Sequence, residues 1–184
     1  MLRFKVKKTI GALVVGAALA LAGTAHATTD TQLVSDAHAV KANFLRTDPG
    51  LTAFFTRAAG YVVFPAVGKG GVGIGGAHGS GVVFQNDRPV GKATLSQVSI
   101  GAQIGGQKYA EVIFFETPAD LANFMKGHMA FSGSVSAVAL KSGASAAAKY
   151  REGVAVFTAT EAGLMLEAAV GGQKFKYEPF MTTR

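Results

Sequence analysis

Apolar side chains recur at spacings of four, three and four between Thr31 and Arg46, where Leu33, Ala37, Val40 and Phe44 form a stripe flanked by Val34 and Leu45. That period is helical and predicts an amphipathic helix. Asp48-Pro49-Gly50 ends it, and Leu51 to Ala59, with Phe54 and Phe55, reads as a second short helix closed by Gly60. From Tyr61 the period shortens. Tyr61 to Pro65 (YVVFP) predicts a strand closed by proline, Val72 and Ile74 alternate with glycines, and Gly81 to Gln85 is an apolar run ended by the turn Asn86-Asp87-Arg88-Pro89. Val90 to Ile100 and Gly101 to Tyr109 read as strands. Ala110 to Phe115 (AEVIFF) is almost continuously apolar, the mark of a strand covered on both faces. Thr117-Pro118-Ala119-Asp120 is a helix start, with an N-cap hydroxyl, proline in the first turn and an acid beside it. This helix stops at Gly127 and turns Leu121, Phe124 and Met125 inward. Phe131 to Leu140 alternates as a strand, Lys141 to Lys149 (KSGASAAAK) has no clear period, and Gly153 to Thr160, Gly163 to Val170 and Gln173 to Tyr177 read as the last strands.

The stretch Gly68 to Glu116 holds twelve of the 24 glycines, set among Val, Ile, Phe and small polar residues. Such a mixture suits strands that approach closely, bend or bulge, and suits long helices badly. The fold class expected is therefore α+β: one domain built on a curved or barrel-like, mainly antiparallel glycine-rich sheet with a few covering helices. The first helix is read as packed on that sheet. A membrane-lying helix is the alternative, but Asp36 against Lys41 and Arg46 gives it a weakly charged polar face where lipid-surface helices are rich in Lys and Arg.

The N-terminus changes the charge picture. Arg3, Lys5, Lys7 and Lys8 precede the uncharged apolar run Ile10 to Gly23, and Ala25-His26-Ala27 places small residues where signal peptidase requires them. Residues 1–27 are thus expected to be a cleaved signal peptide, with residues 28–184 the domain and a periplasmic or secreted location, peripheral on a membrane in one version. Four of the 18 basic residues leave with that segment, so the formal charge of +7 falls to +3. That is not the footprint of a nucleic-acid binder. Cysteine is absent, which removes disulfides and thiolate metal sites.

Catalytic signatures fare poorly. Gly71-Val72-Gly73-Ile74-Gly75-Gly76 lacks the GxGxxG spacing and the helix a dinucleotide loop needs, and neither Gly68-Lys69 nor Gly91-Lys92 continues as a phosphate-binding loop. His78-Gly79-Ser80 suggests a hydrolase, yet Ser80 sits in no GxSxG elbow. His38, His78 and His128 are isolated, and Glu111, Glu116, Asp120, Glu161 and Glu167 read as salt-bridging or capping acids. No catalytic residue, cofactor or metal ligand is expected. One internal echo stands out: Ile104-Gly105-Gly106-Gln107-Lys108-Tyr109 returns as Val170-Gly171-Gly172-Gln173-Lys174-Phe175. Both copies read as strand ends or bulges of like geometry, each presenting a lysine beside an aromatic ring.

Three blocks in order, GKGGVGIGGAHGSGVVF, GKATLSQVSIGAQIGGQKYAEVIFFE and VFTATEAGLMLEAAVGGQKF, resemble the SYLF domain, the lipid-binding, actin-regulating domain of endocytic proteins. The resemblance runs from about Asp36 to Tyr177. It implies membrane-lipid binding and no enzymatic activity, and in an exported bacterial chain it implies anionic phospholipids rather than actin or phosphoinositides. The leading expectation is a non-enzymatic lipid-binding module of the bacterial envelope. Lys69, Lys92, Lys108 and Lys174 would supply the charge, with Tyr109 and Phe175 as interfacial rings. The rival from another class is a structural or protein-interaction domain of the periplasm or outer membrane, held by an envelope protein partner. A hydrolase built on Ser80 and His78 is a third.

Overall fold

A computed structural model describes residues 18–72, 74–100, 107–131, 135–160 and 170–181. In chain order these form helix α1 (Ala18–Thr47), a 3-10 turn (Pro49–Leu51), α2 (Thr52–Arg57), strands β1 (Gly60–Val72), β2 (Ile74–Gln85), β3 (Arg88–Ile100) and β4 (Gln107–Phe115), α3 (Pro118–Met125), β5 (Ala137–Ala139), α4 (Ala144–Ala147), β6 (Val154–Thr160) and β7 (Gln173–Pro179). The seven strands make one open sheet in the order β5-β6-β4-β1-β2-β3-β7, antiparallel except where β5 runs parallel to β6. The expected α+β class holds.

β1 does not end at Pro65. It continues to Val72, and the pairing with both neighbours shifts register around the proline, between Val63 and Ala66 on one side and between Phe64 and Val67 on the other. A bulge is where a strand tolerates a residue without an N–H. β3 starts at Arg88 because Asn86 and Asp87 alone make the turn, both at positive φ (51° and 63°), as a two-residue hairpin loop demands. Of the strand expected over Phe131 to Leu140, the described residues form strand only at Ala137–Ala139, with Ala130 bridging to Lys174 on the opposite side of the sheet. Most of Gly101 to Tyr109 and of Gly163 to Val170 lies outside the described residues. Residues Gln107 to Tyr109 join Ala110 to Phe115 in the single strand β4.

The sheet has two buried faces. On the outer face Tyr61, Val63, Val82, Phe84, Val112, Phe114, Ala155 and Phe157 pack against Ala37 and Phe44 of α1, with Leu51 and Ala144 closing the layer. Rings dominate: Tyr61 stacks on Phe84 at 5.0 Å, and Phe114 meets Phe55 edge-on at 4.8 Å. Each such pair contributes about 0.5–1.5 kcal/mol beyond its buried area. α1 therefore lies on the sheet, as its apolar stripe predicts, clipped by Lys41, whose ammonium bonds Asp87 and sits over the rings of Phe55 and Tyr61 at 5.0 and 5.2 Å. Among the described residues no helix is long and apolar enough to cross a membrane.

The inner face carries Val62, Phe64, Val67, Ile113, Phe115, Val156 and Phe175, capped by Leu121 and Phe124 of α3. Here the sheet curls upon itself. Three strands separate β4 from β7, which in a flat sheet would hold them about 19 Å apart, yet the Gln173 amide donates to the Glu111 carboxylate at 3.0 Å. The Phe64 and Phe175 ring centroids likewise lie 6.1 Å apart across two intervening strands. Gly81 makes this possible, because a Cβ there would stand 2.6 Å from the Phe64 ring.

Candidate functional site

Pairing register decides which side chains share a face, since directly paired residues point the same way. Lys108 pairs with Gly68, Gly68 with His78, His78 with Ser96 and Ser96 with Lys174. These five residues form one row straight across β4, β1, β2, β3 and β7 on the outer face, and all five are exposed. The lysines at its ends are four strand spacings apart along the curl of the sheet. The row lies beyond the part of the sheet that α1 covers, and the neighbouring row of Ala66, Ser80, Thr94 and Lys176 keeps the surface shallow.

The echo noted in the sequence is thus the architecture of this site. Tyr109, Val67, Gly79, Leu95 and Phe175 form the next row, on the inner face, so the two Gln-Lys-aromatic triplets sit at the same height on strands running in the same direction. Lysine faces out and the ring faces in on both. Tyr109 and Phe175 are accordingly core residues, 4% and 7% exposed. As interfacial rings beside their lysines they are corrected: strand alternation turns each ring away from the face its lysine occupies.

The four lysines do not share one face. Lys92 pairs with Val82 and is on the outer face, 3.8 Å from Asp30 of α1. Lys69 pairs with Ala77 and Gln107 and points to the inner side. Among the described residues, neither Lys108 nor Lys174 has an acidic group within ion-pair range, whereas Lys176 is matched by Glu178 at 2.7 Å. Lys176 was not singled out from the sequence; alternation from Lys174 along the β7 strand was the signal for it. Ser80 and His78 lie two residues apart inside β2, without the strand-to-helix turn a nucleophile elbow requires. No three His, Asp or Glu side chains converge among the described residues.

Residues 96–180 match the family model described as Ysc84, Las17-binding protein actin regulator. Over that span the chain matches the SYLF (Ysc84) domain. The SYLF match opens at the exposed end of β3 and takes in both lysines of the row, α3 and the strands through β7. The family is one of binding domains, associated with lipid binding or actin regulation. A protein named Beta cell expansion factor A, from Aeromonas veronii, is 32% identical over 137 residues, which cover 73% of this chain and 51% of that protein. The chain therefore spans about half the length of this curated relative.

Within the SYLF segment one group escapes the sequence reading. Glu111 neither salt-bridges nor caps; it is fully buried on the inner face, and burial raises its carboxyl to about 7 despite the hydrogen bond from Gln173. Burial, followed by the charge of Glu111, pushes the Tyr109 hydroxyl upward as well. The signal was present: a glutamate inside AEVIFF, a strand read as covered on both faces, has nowhere to reach solvent.

Proposed function

We propose that this chain is a non-enzymatic lipid-binding module of the bacterial envelope, docking its exposed outer sheet face on anionic phospholipid headgroups. One observation carries the reading: Lys108 and Lys174 close the two ends of a fully exposed row whose middle positions, Gly68, His78 and Ser96, hold no large side chain except the histidine. A surface of small residues lets an anionic leaflet come close to the row, where each ammonium group contributes about 1 kcal/mol. Lys92 and Lys176 add charge that Asp30 and Glu178 partly cancel. Lys69 and the rings of Tyr109 and Phe175 have no part in it. The family's lipid-binding and actin-regulating associations support reading the chain as a binder.

The location follows from the same reading. Residues 1–27 act as a signal peptide, and the mature protein is periplasmic or secreted and peripheral on a membrane. α1 runs on through Thr28, and Asp30, Leu33, Ala37 and Phe44, whose side chains engage the sheet or pack on its core, all lie after Ala27 and stay in the mature chain. Mass spectrometry of the exported protein should find Thr28 at its N-terminus.

Co-sedimentation tests the binding. The mature protein should pellet with phosphatidylglycerol vesicles at low salt and stay in solution with phosphatidylcholine vesicles. Equal behaviour with both would remove the electrostatic reading. Failure with both, together with capture of an envelope protein by cross-linking, would put the protein-interaction domain in its place.

A further inference from the structure

The polar groups around Glu111 do not behave like core residues that have found their partners. Glu111, Thr158 and Gln173 are each 0% exposed. Thr158 is the direct pairing neighbour of Glu111 on β6, and Gln173 reaches it across the curl of the sheet. One row on, Tyr109 pairs with Thr160. Glu111 Oε1, Thr158 Oγ1, Gln173 Oε1 and Thr160 Oγ1 are all buried without a hydrogen-bond partner. Native cores contain few such atoms, and four on one patch call for an occupant. Every one of them is an oxygen with a lone pair to give, and although the two hydroxyls can also donate, neither has a partner within hydrogen-bond distance.

We propose that this patch is a built site for a monovalent alkali cation, held by the Glu111 carboxylate, the Gln173 amide oxygen and the hydroxyl of Thr158, with Thr160 at its margin. Hard oxygen ligands select hard cations, and charge balance selects the valence. One buried carboxylate and one monovalent ion sum to zero, whereas a divalent ion would leave a net positive charge in a place without water, at a cost of several kcal/mol. The charged groups that face Glu111 are few: Tyr109 on its own strand, and Lys69 two rows away on β1 toward the β1–β2 turn. On β7, Lys174 and Lys176 point outward and give no counter-charge, and β6 presents Val154, Val156, Thr158 and Thr160 to this face, none of them charged.

This site is independent of the lysine row and of lipid binding, and its test is independent too. Thermal unfolding of the full chain at pH 8 is followed in sodium, potassium and choline chloride at matched ionic strength. The expected result is a melting temperature that rises by about 3 °C or more for each tenfold increase of one alkali cation above its dissociation constant, and not for choline. The rise should vanish in Glu111→Gln. Thr158→Val, which keeps a side chain of the same shape on β6, should lose the alkali preference while remaining folded. Crystals grown in rubidium chloride should show anomalous density beside Glu111 Oε1. Identical melting in all three salts, an alkali effect that survives in Glu111→Gln, or a water without anomalous signal at that position would overturn the proposal.

Discussion

The two faces of the sheet solve opposite problems with the same strands. The outer face is dry where α1 lies over it and bare beyond, so its polar residues are small or reach freely into solvent. The inner face is enclosed by the curl and by α3, and yet it keeps Glu111, Thr158 and Gln173 fully buried among its Phe and Val residues. Charge that costs nothing outside becomes expensive inside. Polar residues on the outer face are thus free to serve a partner, while those on the inner face constrain the fold and its dependence on solution conditions.

Removing the anchors of the two faces tests whether both are essential. Phe114→Ala on the outer face and Phe115→Ala on the inner face should each cost about 3–5 kcal/mol by denaturant unfolding; a loss confined to one of them would mean that the other face is dispensable. The carboxylate gives the next effect, on the order of 3 kcal/mol from a shift between 4.5 and about 7. Because its folded-state value is raised, the folded protein holds the proton more tightly than the unfolded chain. Stability is fullest below pH 4.5 and declines as pH rises to about 7. In buffer without alkali cations, Glu111→Gln should flatten that decline and leave the protein more stable than wild type at pH 8.

On the outer face, Lys108→Ala with Lys174→Ala should weaken binding to anionic vesicles roughly 30-fold, at about 1 kcal/mol per lysine, without moving the unfolding midpoint. Lys69→Ala should leave vesicle binding unchanged, which separates the faces in one experiment. The smallest effect belongs to the helix that caps the inner face. Thr117 and Asp120 exchange hydrogen bonds in a capping box, the Asp120 N–H donating to the Thr117 hydroxyl at 3.2 Å and the Thr117 N–H to the Asp120 carboxylate at 3.0 Å. Thr117→Ala should cost about 1 kcal/mol and show as a lower melting temperature.

Local chemistry made much of this legible in advance. The apolar period of α1, the cap at Thr117 and the doubly covered strand through Phe115 depend on neighbours in the chain and stand where the sequence places them; the turn does too, but takes only Asn86 and Asp87 of the four residues read into it. The long-range terms did not. Which lysines share a face depends on register through five strands, and a bulge at Pro65 lies in that register. The burial of Tyr109 and Phe175 follows from strand alternation, but reading them as partners of their adjacent lysines overlooks that period of two. The meeting of Gln173 with Glu111 depends on how far the sheet curls, which no local pattern encodes.

The outward lysine of β7 has one more consequence. β7 is the last strand in the order, and past Lys174 none of the described residues pairs with its free edge. An unpaired edge is a template on which another chain can add a strand. Lys174, Lys176 and Glu178 alternate along it and Pro179 ends it, so a second copy would have to bury charge and forgo a hydrogen bond in order to join. The residues that keep this edge soluble overlap those that would dock on a membrane. Neutralising Lys174 and Lys176 therefore leaves a chain poised for strand-by-strand self-association.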